Sequence, residues 1–273
     1  MPELPEVEVV RRSLASLVGG RLAGVSGHPI RLRRPLDPDS WCEQLAEARL
    51  EEVGRRGKYL LLSFGAHTAV LHLGMSGRLL LGAPGFPEPA HTHLRFHFDD
   101  GRELRFVDPR RFGMGELVPA EELGRWPWLA SLGEDALQGD VRGALDRVLP
   151  RSRSTVWSVL LNQKVLAGVG NIYANEALHR AGIRPLRNAR GISRPARTQL
   201  ADAVKAVLAE AVEQGGTTLA DGGFVDGSSQ GGYFAVRLRV YAKGGTPCIQ
   251  CGEKITRLQK HGRPVFFCPR CQR

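Results

Sequence analysis

Four cysteines in two close pairs constrain this 273-residue chain more than any other feature. Cys248-x-x-Cys251 and Cys268-x-x-Cys271 stand near the C-terminus with sixteen residues between them. Each pair presents two thiolates from one tight turn, and two pairs complete the tetrahedral shell that holds one structural Zn2+. A closed four-sulfur shell has no open position, which gives the metal a structural role and no catalytic one. The segment 241–273 is too small to fold around a core of its own, so the metal supplies the missing cohesion. From 248 to 273 the basic residues Lys254, Arg257, Lys260, Arg263, Arg270 and Arg273 stand against Glu253 alone, the charge pattern of a nucleic-acid finger. Cys42 is left over and reads as a small buried apolar residue.

The rest of the charge is divided unevenly. The chain holds 38 Lys and Arg against 28 Asp and Glu, a net +10. Residues 1–135 carry 17 basic and 19 acidic side chains, whereas 136–273 carry 21 and 9. A basic rear half favours a polyanion and speeds its encounter. With 42% hydrophobic and 24% charged residues the chain is globular, and its length suggests two cores. From Tyr59 to Gly77 no charged residue occurs, but Gly65, His67, His72, Gly74 and Gly77 interrupt the run. It reads as two buried strands around a turn, not as a membrane span. The acidic opening, Met1 to Glu8, lacks the pattern of a secretory signal. A soluble cytoplasmic protein with no membrane partner is expected.

Periodicity predicts strands first and helices afterwards. Pro5 to Val18 is an amphipathic helix closed by Gly19-Gly20, and Ser40 to Ala48 a short one. Leu50 to Phe64 and Ala69 to Leu81 read as consecutive strands. Leu94 to Phe98 and Leu104 to Phe106 flank an Asp-Gly turn as a hairpin. Trp126 to Gly139 reads as a linker. Thr155 to Gln163 and Ile172 to Ala181 form two helices around Gly168-Val169-Gly170-Asn171, where Asn171 either caps the second helix or donates to a phosphate. Ser193 caps a long helix with the stripe Leu200, Val204, Val207, Leu208, Ala211 and Val212. Asp221 to Gly232 reads as a mobile Gly/Ser-rich loop. The predicted fold class is α+β and multidomain. An N-terminal antiparallel β-sandwich with flanking helices occupies 1–133, a helical DNA-binding domain 134–240, and a four-cysteine zinc-finger hairpin 241–273.

Several separated stretches resemble one family as a set. They are Pro2-Glu3-Leu4-Pro5-Glu6-Val7-Glu8, Gly57-Lys58-Tyr59-Leu60-Leu61, His72-Leu73-Gly74-Met75-Ser76-Gly77, Asp108-Pro109-Arg110-Arg111-Phe112-Gly113, Gly168 to Glu176, and the cysteine finger. Together they resemble the bacterial formamidopyrimidine-DNA glycosylases over the full length. The resemblance implies a helix–two-turn–helix in the middle domain. It also implies a base-excision enzyme that removes oxidised purines, such as 8-oxoguanine and formamidopyrimidines, from double-stranded DNA opposite cytosine, acting as a monomer. Strand cleavage at the abasic site follows.

The implied chemistry starts at Pro2, which becomes an N-terminal secondary amine once Met1 is removed. An α-amino group has a reference pKa of ~8, well below lysine at ~10.4, so it is readily neutral and nucleophilic. Attack on sugar C1′ gives an iminium that acidifies the C2′ hydrogen and permits β- and then δ-elimination. By resemblance Glu3 protonates the sugar ring oxygen or the leaving base, and Glu6 supports the lesion site. Read from the residues alone, both are also ordinary first-turn helix acids. Lys58 maps onto the general acid for β-elimination, and Arg263 onto the proton donor for δ-elimination, with a phosphate clamp the better reading for an arginine. Met75, Arg110 and Phe112 map onto the trio that fills the hole left by an extruded base. His72, Asn171 and Tyr241 map onto backbone contacts, with His91 and Arg153 as further DNA contacts. Ala220 stands where the family often has a basic residue, so lesion contacts of the 221–232 loop are set apart from the pattern. Two rivals follow: an endonuclease VIII-like enzyme for oxidised pyrimidines, and a non-catalytic zinc-finger DNA-binding protein.

Overall fold

A computed structural model describes residues 2–83, 85, 87–218 and 225–273. The chain divides into two compact units, one of 1–130 with 214–233, the other of 131–213 with 234–273. The middle domain expected at 134–240 is thus interrupted, because 214–233 returns to the first unit and the finger stays with the second.

The first unit opens with helix α1 (Leu4–Ser13), then strand β1 (Leu22–Gly27), the short pair β2 (Ile30–Arg31) and β3 (Pro35–Leu36), and helix α2 (Pro38–Gln44). Strands β4 (Glu52–Arg56), β5 (Tyr59–Phe64), β6 (His67–His72), β7 (Arg78–Gly82), β8 (Thr92–Phe98), β9 (Glu103–Val107) and β10 (Met114–Pro119) follow, then the turn of helix α3 (Pro127–Ala130). Two antiparallel four-stranded sheets form, in the orders β1-β8-β9-β7 and β10-β6-β5-β4. Leu94, Phe96, Leu104 and Phe106 of one sheet share a core with Leu60, Leu62, Phe64 and Leu71 of the other. Phe64 and Phe96 stack across it at 6.0 Å. Val7, Val10 and Leu14 add the apolar face of α1 to this core. The sandwich is the expected one: buried residues alternate along β5 and the second half of β8, while β6 and β9 are buried almost throughout.

Two expected strands are each split by a glycine in the left-handed region. Gly57, at φ 58°, turns Leu50–Phe64 into β4 and β5, paired Arg56 with Tyr59, so Lys58 stands in a two-residue turn. Gly74, at φ 61°, ends the run from Ala69, so Met75 sits in the turn between β6 and β7. The first helix is also shorter than predicted. It ends at Ser13, and Ala15–Leu17 tightens into a 3-10 turn before the two glycines.

The second unit contains β11 (Glu134–Asp135), helix α4 (Val141–Val148), helix α5 (Val156–Leu161), β12 (Leu166–Ala167), helix α6 (Asn171–Arg180), the long helix α7 (Arg194–Glu213), and the hairpin β13 (Thr256–Lys260) and β14 (Arg263–Phe267). The expected linker is therefore structured: β11 pairs in parallel with β12. Thr155 caps α5 by accepting the Ser158 N–H at 3.2 Å. The predicted stripe of α7 is buried. Gln163 braces the turn before α6: its Nε2 donates to the Val169 carbonyl at 2.8 Å, and its Oε1 accepts the Gly168 N–H at 2.9 Å.

Candidate active site and metal centre

The start of α1 is a knot of buried carboxylates. Glu3, 2% exposed, is the N-cap, and Glu3 and Glu6 form a capping box in which Glu6 accepts the Glu3 N–H at 2.7 Å. Pro2 is buried beside them. The other oxygen of Glu6 accepts the backbone N–H of Thr217 at 2.8 Å, so one carboxylate holds both the first helical turn and the segment that returns. That segment is pinned again where Gly227 N–H donates to Ser13 Oγ at 3.0 Å and Leu81 N–H donates to the Gly227 carbonyl at 2.8 Å. Within it, Asp226 Oδ1 accepts from Ser228 and Gln230 at 2.9 and 2.8 Å, so 226–230 forms a tight turn. Ala220 and 221–224 lie outside the described residues.

Glu8 ties α1 to the turn that carries Lys58. Its carboxylate receives Arg11, Arg12 and Arg55 at 2.8–3.0 Å. Arg55, its side chain 2% exposed, also donates to the Gly57 carbonyl at 2.9 Å. Burial would raise the Glu8 carboxyl, but hydrogen bonds from Arg11, Arg55 and Arg12 outweigh it and hold the group below the ordinary carboxylate range. Beyond Lys58, Tyr59 packs on His72 with ring centroids 4.9 Å apart. His72 Nδ1 accepts the Gly74 N–H at 2.9 Å, which assigns the ring proton to Nε2. Burial, with Arg33 and Lys58 nearby, lowers His72 to about 3, so the imidazole stays neutral and offers its Nε2–H as a donor.

Two loops carry Met75, Arg110 and Phe112, and a buried carboxylate joins them. Asp108, 0% exposed, accepts from Ser76 Oγ at 2.5 Å, from Gly113 N–H at 2.7 Å and from Arg110 N–H at 3.3 Å. The loops touch at their backbones: a Cβ on Gly74 would meet the Phe112 carbonyl at 2.4 Å. Arg33 adds a bond to the Phe112 carbonyl at 3.1 Å. On this braced base Met75 is 42% and Phe112 43% exposed, and the Arg110 guanidinium lies 4.9 Å from the Phe112 ring centroid. Both side chains thus stand outside the apolar core, on loops fixed by backbone hydrogen bonds. His91 is exposed with φ 66°, and its carbonyl accepts the Asp108 N–H at 3.1 Å.

In the second unit one face of α6 is the platform for the finger. Asn171 is its first residue and Gly170 the cap, so Asn171 does not cap the helix. Its side chain instead accepts from Trp157 Nε1 at 3.1 Å and donates to the Pro264 carbonyl at 2.8 Å. Asn175 bonds Asn171 and accepts the Phe266 N–H at 2.7 Å. Glu176 accepts three successive N–H groups, of Arg239, Val240 and Tyr241, at 2.8–3.0 Å. Tyr241 then packs edge-on against Phe266 at 5.2 Å. Arg263, exposed beside the hairpin turn His261-Gly262, stands one residue from the carbonyl that Asn171 holds. Arg153 is exposed on the loop before α5.

The four sulfurs of Cys248, Cys251, Cys268 and Cys271 lie within 4.8 Å of one another. Burial and contact with Cys251, Cys268 and Cys248 push the Cys271 thiol up, because four sulfurs this close become thiolates only around a cation. His179 brings its Nε2 to 3.7 Å from Cys248 Sγ, the outer contact that orients a ligand. The donor set is soft, four in number and closed, which fits one structural Zn2+.

Three family profiles cover most of the chain: the formamidopyrimidine-DNA glycosylase N-terminal domain at residues 1–115, the formamidopyrimidine-DNA glycosylase H2TH domain at 132–222, and a zinc finger found in FPG and IleRS at 245–273. The chain belongs to the formamidopyrimidine-DNA glycosylase family. A formamidopyrimidine-DNA glycosylase of Methylococcus capsulatus is 47% identical over 275 residues, covering 100% of both chains. The crystal structure of the MutM (FPG) protein from Thermus thermophilus matches with TM-score 0.87 and 38% identity, over 99% of this chain and 98% of that one. A mutant FPG of Lactococcus lactis, in complex with a Fapy-dG containing DNA, matches with TM-score 0.90 and 29% identity over 100% of both. Membership in an enzyme family removes the reading of a non-catalytic finger protein. Within each unit the family motifs named from sequence converge: the α1 start, the Lys58 turn and the Met75 and Phe112 loops in one, Asn171, Tyr241 and Arg263 in the other. Sequence reasoning missed Glu8, Arg55, Asp108, Gln163, Asn175 and Glu176 as positioning residues. Glu8, Asp108, Asn175 and Glu176 lie inside stretches quoted for the resemblance, which is the signal that could have found them, whereas Arg55 and Gln163 lie outside all of them.

Proposed function

We propose that Pro2, Glu3 and Lys58 form the reacting centre of this DNA glycosylase and lyase of base excision repair. The observation that carries the reading is the buried Glu3–Glu6 capping box beside Pro2, joined through Glu8 and Arg55 to the Lys58 turn. With Met1 removed, the Pro2 nitrogen attacks C1′ as the bond from C1′ to the base breaks, and the base leaves with that electron pair and a proton. Glu3 protonates the ring oxygen or the base; loss of the Pro2 N–H proton and breakage of the C1′–O4′ bond, whose electron pair stays on O4′ as a hydroxyl, leave the C1′=N+ iminium. The resulting iminium acidifies C2′–H, and loss of that proton expels the 3′ phosphate while Lys58 serves as general acid. Loss of the C4′ proton then expels the 5′ phosphate, which Arg263 receives in a charge-assisted contact. Met75 and Phe112 replace lost stacking, and Arg110 bonds the orphaned cytosine. His72, Asn171, Tyr241, His91 and Arg153 contact the backbone, and Glu6 holds the lesion-side segment. The substrate is double-stranded DNA with an oxidised purine opposite cytosine, and the enzyme acts as a cytoplasmic monomer. The zinc supplies a rigid finger and takes no part in the reaction.

Borohydride reduction tests this. Protein with Met1 verified absent should give a covalent adduct with an 8-oxoguanine duplex, with the sugar remnant on Pro2. Pro2→Gly should abolish strand cutting and keep duplex affinity. A remnant on a lysine side chain would overturn the assignment, and faster cutting of thymine glycol than of 8-oxoguanine would favour the pyrimidine-directed rival.

A further inference from the structure

The second unit holds a cavity of about 360 Å³ formed by α6, α7, the turn Phe234–Arg237 and the finger residue Ile249. Its floor is apolar. Phe234, Leu238 and Val207 are each less than 5% exposed, and Arg180 closes one side by a two-pronged pair with Glu210 at 2.7 Å. Its rim is unusual in two ways. Val236 and Ile249 are 81% and 67% exposed, an open aliphatic pair on a folded surface. Arg237, Arg239 and Lys243 line the same cavity, and none of the three makes an ion pair among the described residues. The two acids there are already engaged, Glu210 by Arg180 and Glu176 by the three N–H groups of 239–241. None of Asn171, Tyr241, Arg153 and Arg263 lines it.

Glu210 and Glu176 lie within electrostatic reach of these cations, but the lining carries four cations against two acids, and Arg237, Arg239 and Lys243 are not tied down in ion pairs among the described residues. An excess of positive charge around an apolar pocket suits a ligand that is acidic and carries one apolar anchor. A duplex backbone supplies the charge but nothing to bury against Val236, Ile249 and Leu238. We propose that this cavity is a docking site for an acidic protein segment that inserts one large aliphatic or aromatic side chain, with its carboxylates on Arg237, Arg239 and Lys243. The volume is at the small end of ligand sites and accommodates a single anchor, which makes the contact weak and transient. Opposite charge speeds the encounter, and the buried anchor sets the lifetime. Ile249 lies between two zinc ligands, so the metal-stapled turn is one wall of the site. The site is distinct from the residues assigned to the reaction, so strand cutting and docking should be separable.

A fluorescent Asp-rich peptide with one Phe, titrated against the zinc-loaded full chain by polarisation, tests this. Saturable binding is expected at about 1–100 μM. Replacing the peptide Phe by Ser should weaken it by about tenfold or more. Val236→Asp should do the same through the protein, and Arg237→Glu should weaken it most at low salt. Both variants should cut an 8-oxoguanine duplex at the wild-type rate, which separates a docking defect from misfolding and from failure of the reaction scheme. Equal binding of the Phe and Ser peptides would reduce the site to a general polyanion surface and overturn the proposal. So would a Val236→Asp protein that loses duplex affinity in step with peptide affinity, which would make the cavity a DNA contact.

Discussion

The sandwich unit and the finger-bearing unit solve the same problem by different means. Each must hold polar or exposed side chains on loops that have little core of their own. In the first unit buried carboxylates knit the loops: Glu6 takes the Thr217 N–H, and Asp108 takes Ser76, Arg110 and Gly113. In the second a carboxylate does similar work, since Glu176 takes the N–H groups of 239–241, but four thiolates around a metal complete the job. The difference teaches where each unit is fragile. One fails locally when a single acceptor is lost, and the other fails as a module when the metal is lost.

Zinc removal gives the sharpest contrast. Chelation, or Cys268→Ser, should lower duplex affinity by at least ~100-fold, because structural zinc contributes about 10–16 kcal/mol in small finger peptides. The sandwich unit should keep its own thermal transition. Loss of both transitions together, by calorimetry, would show that the units are not independent in this respect. Next in size is Asp108→Ala, which strands several donors at about 1–3 kcal/mol each where they stay dry. It should lower stability by about 3 kcal/mol. More tellingly, it should weaken preference for cytosine opposite the lesion, since Arg110 and Phe112 lose their brace. Asp108→Asn keeps one acceptor and should retain part of that preference. An unchanged cytosine-to-adenine ratio in Asp108→Ala would detach Asp108 from the loop's role.

These tests also mark what was legible beforehand. The sandwich, the α7 stripe and the metal ligands follow from alternation, helical spacing and cysteine spacing, all of which are local. The splits at Gly57, set among Arg55, Arg56 and Lys58, and at Gly74, set between Leu73 and Met75, were not legible, because a lone glycine fits a strand as well as a turn until its φ is known. The return of 214–233 to the first unit was hidden for a stronger reason: its anchor on Glu6 lies 211 positions away. Asn171 illustrates the same limit. Its place at the start of α6 is readable, but its bond to Pro264 spans 93 positions, and that bond makes a strut of a residue read as either a cap or a phosphate donor.

Acid sensitivity offers a finer comparison. His72 sits at about 3 when folded and near 6.5 when unfolded, so the unfolded chain binds the extra proton between those values. Stability should therefore fall as pH drops through that window, by up to about 1.4 kcal/mol per pH unit. Glu8, depressed in the fold, adds its loss only below the ordinary carboxylate range. His72→Gln should flatten the upper part of the acid limb in urea titrations, and Glu8→Gln the lower part. An unaltered limb in His72→Gln would mean that the imidazole protonates in the folded state. The smallest effect belongs to Arg153→Ala, which should weaken binding evenly across DNA sequences and reduce the salt slope by about 1.

The bond between Glu6 and Thr217 has a mechanical corollary. A polypeptide that circles back to its own opening turn behaves as a closed hoop with a carboxylate clasp. Prising the returning arm away from the sandwich must undo the clasp, and with it half of the capping box that squares Glu3. Motion of that arm and alignment of the end proposed to react are therefore coupled through one carboxylate, and whatever stills the first will steady the second.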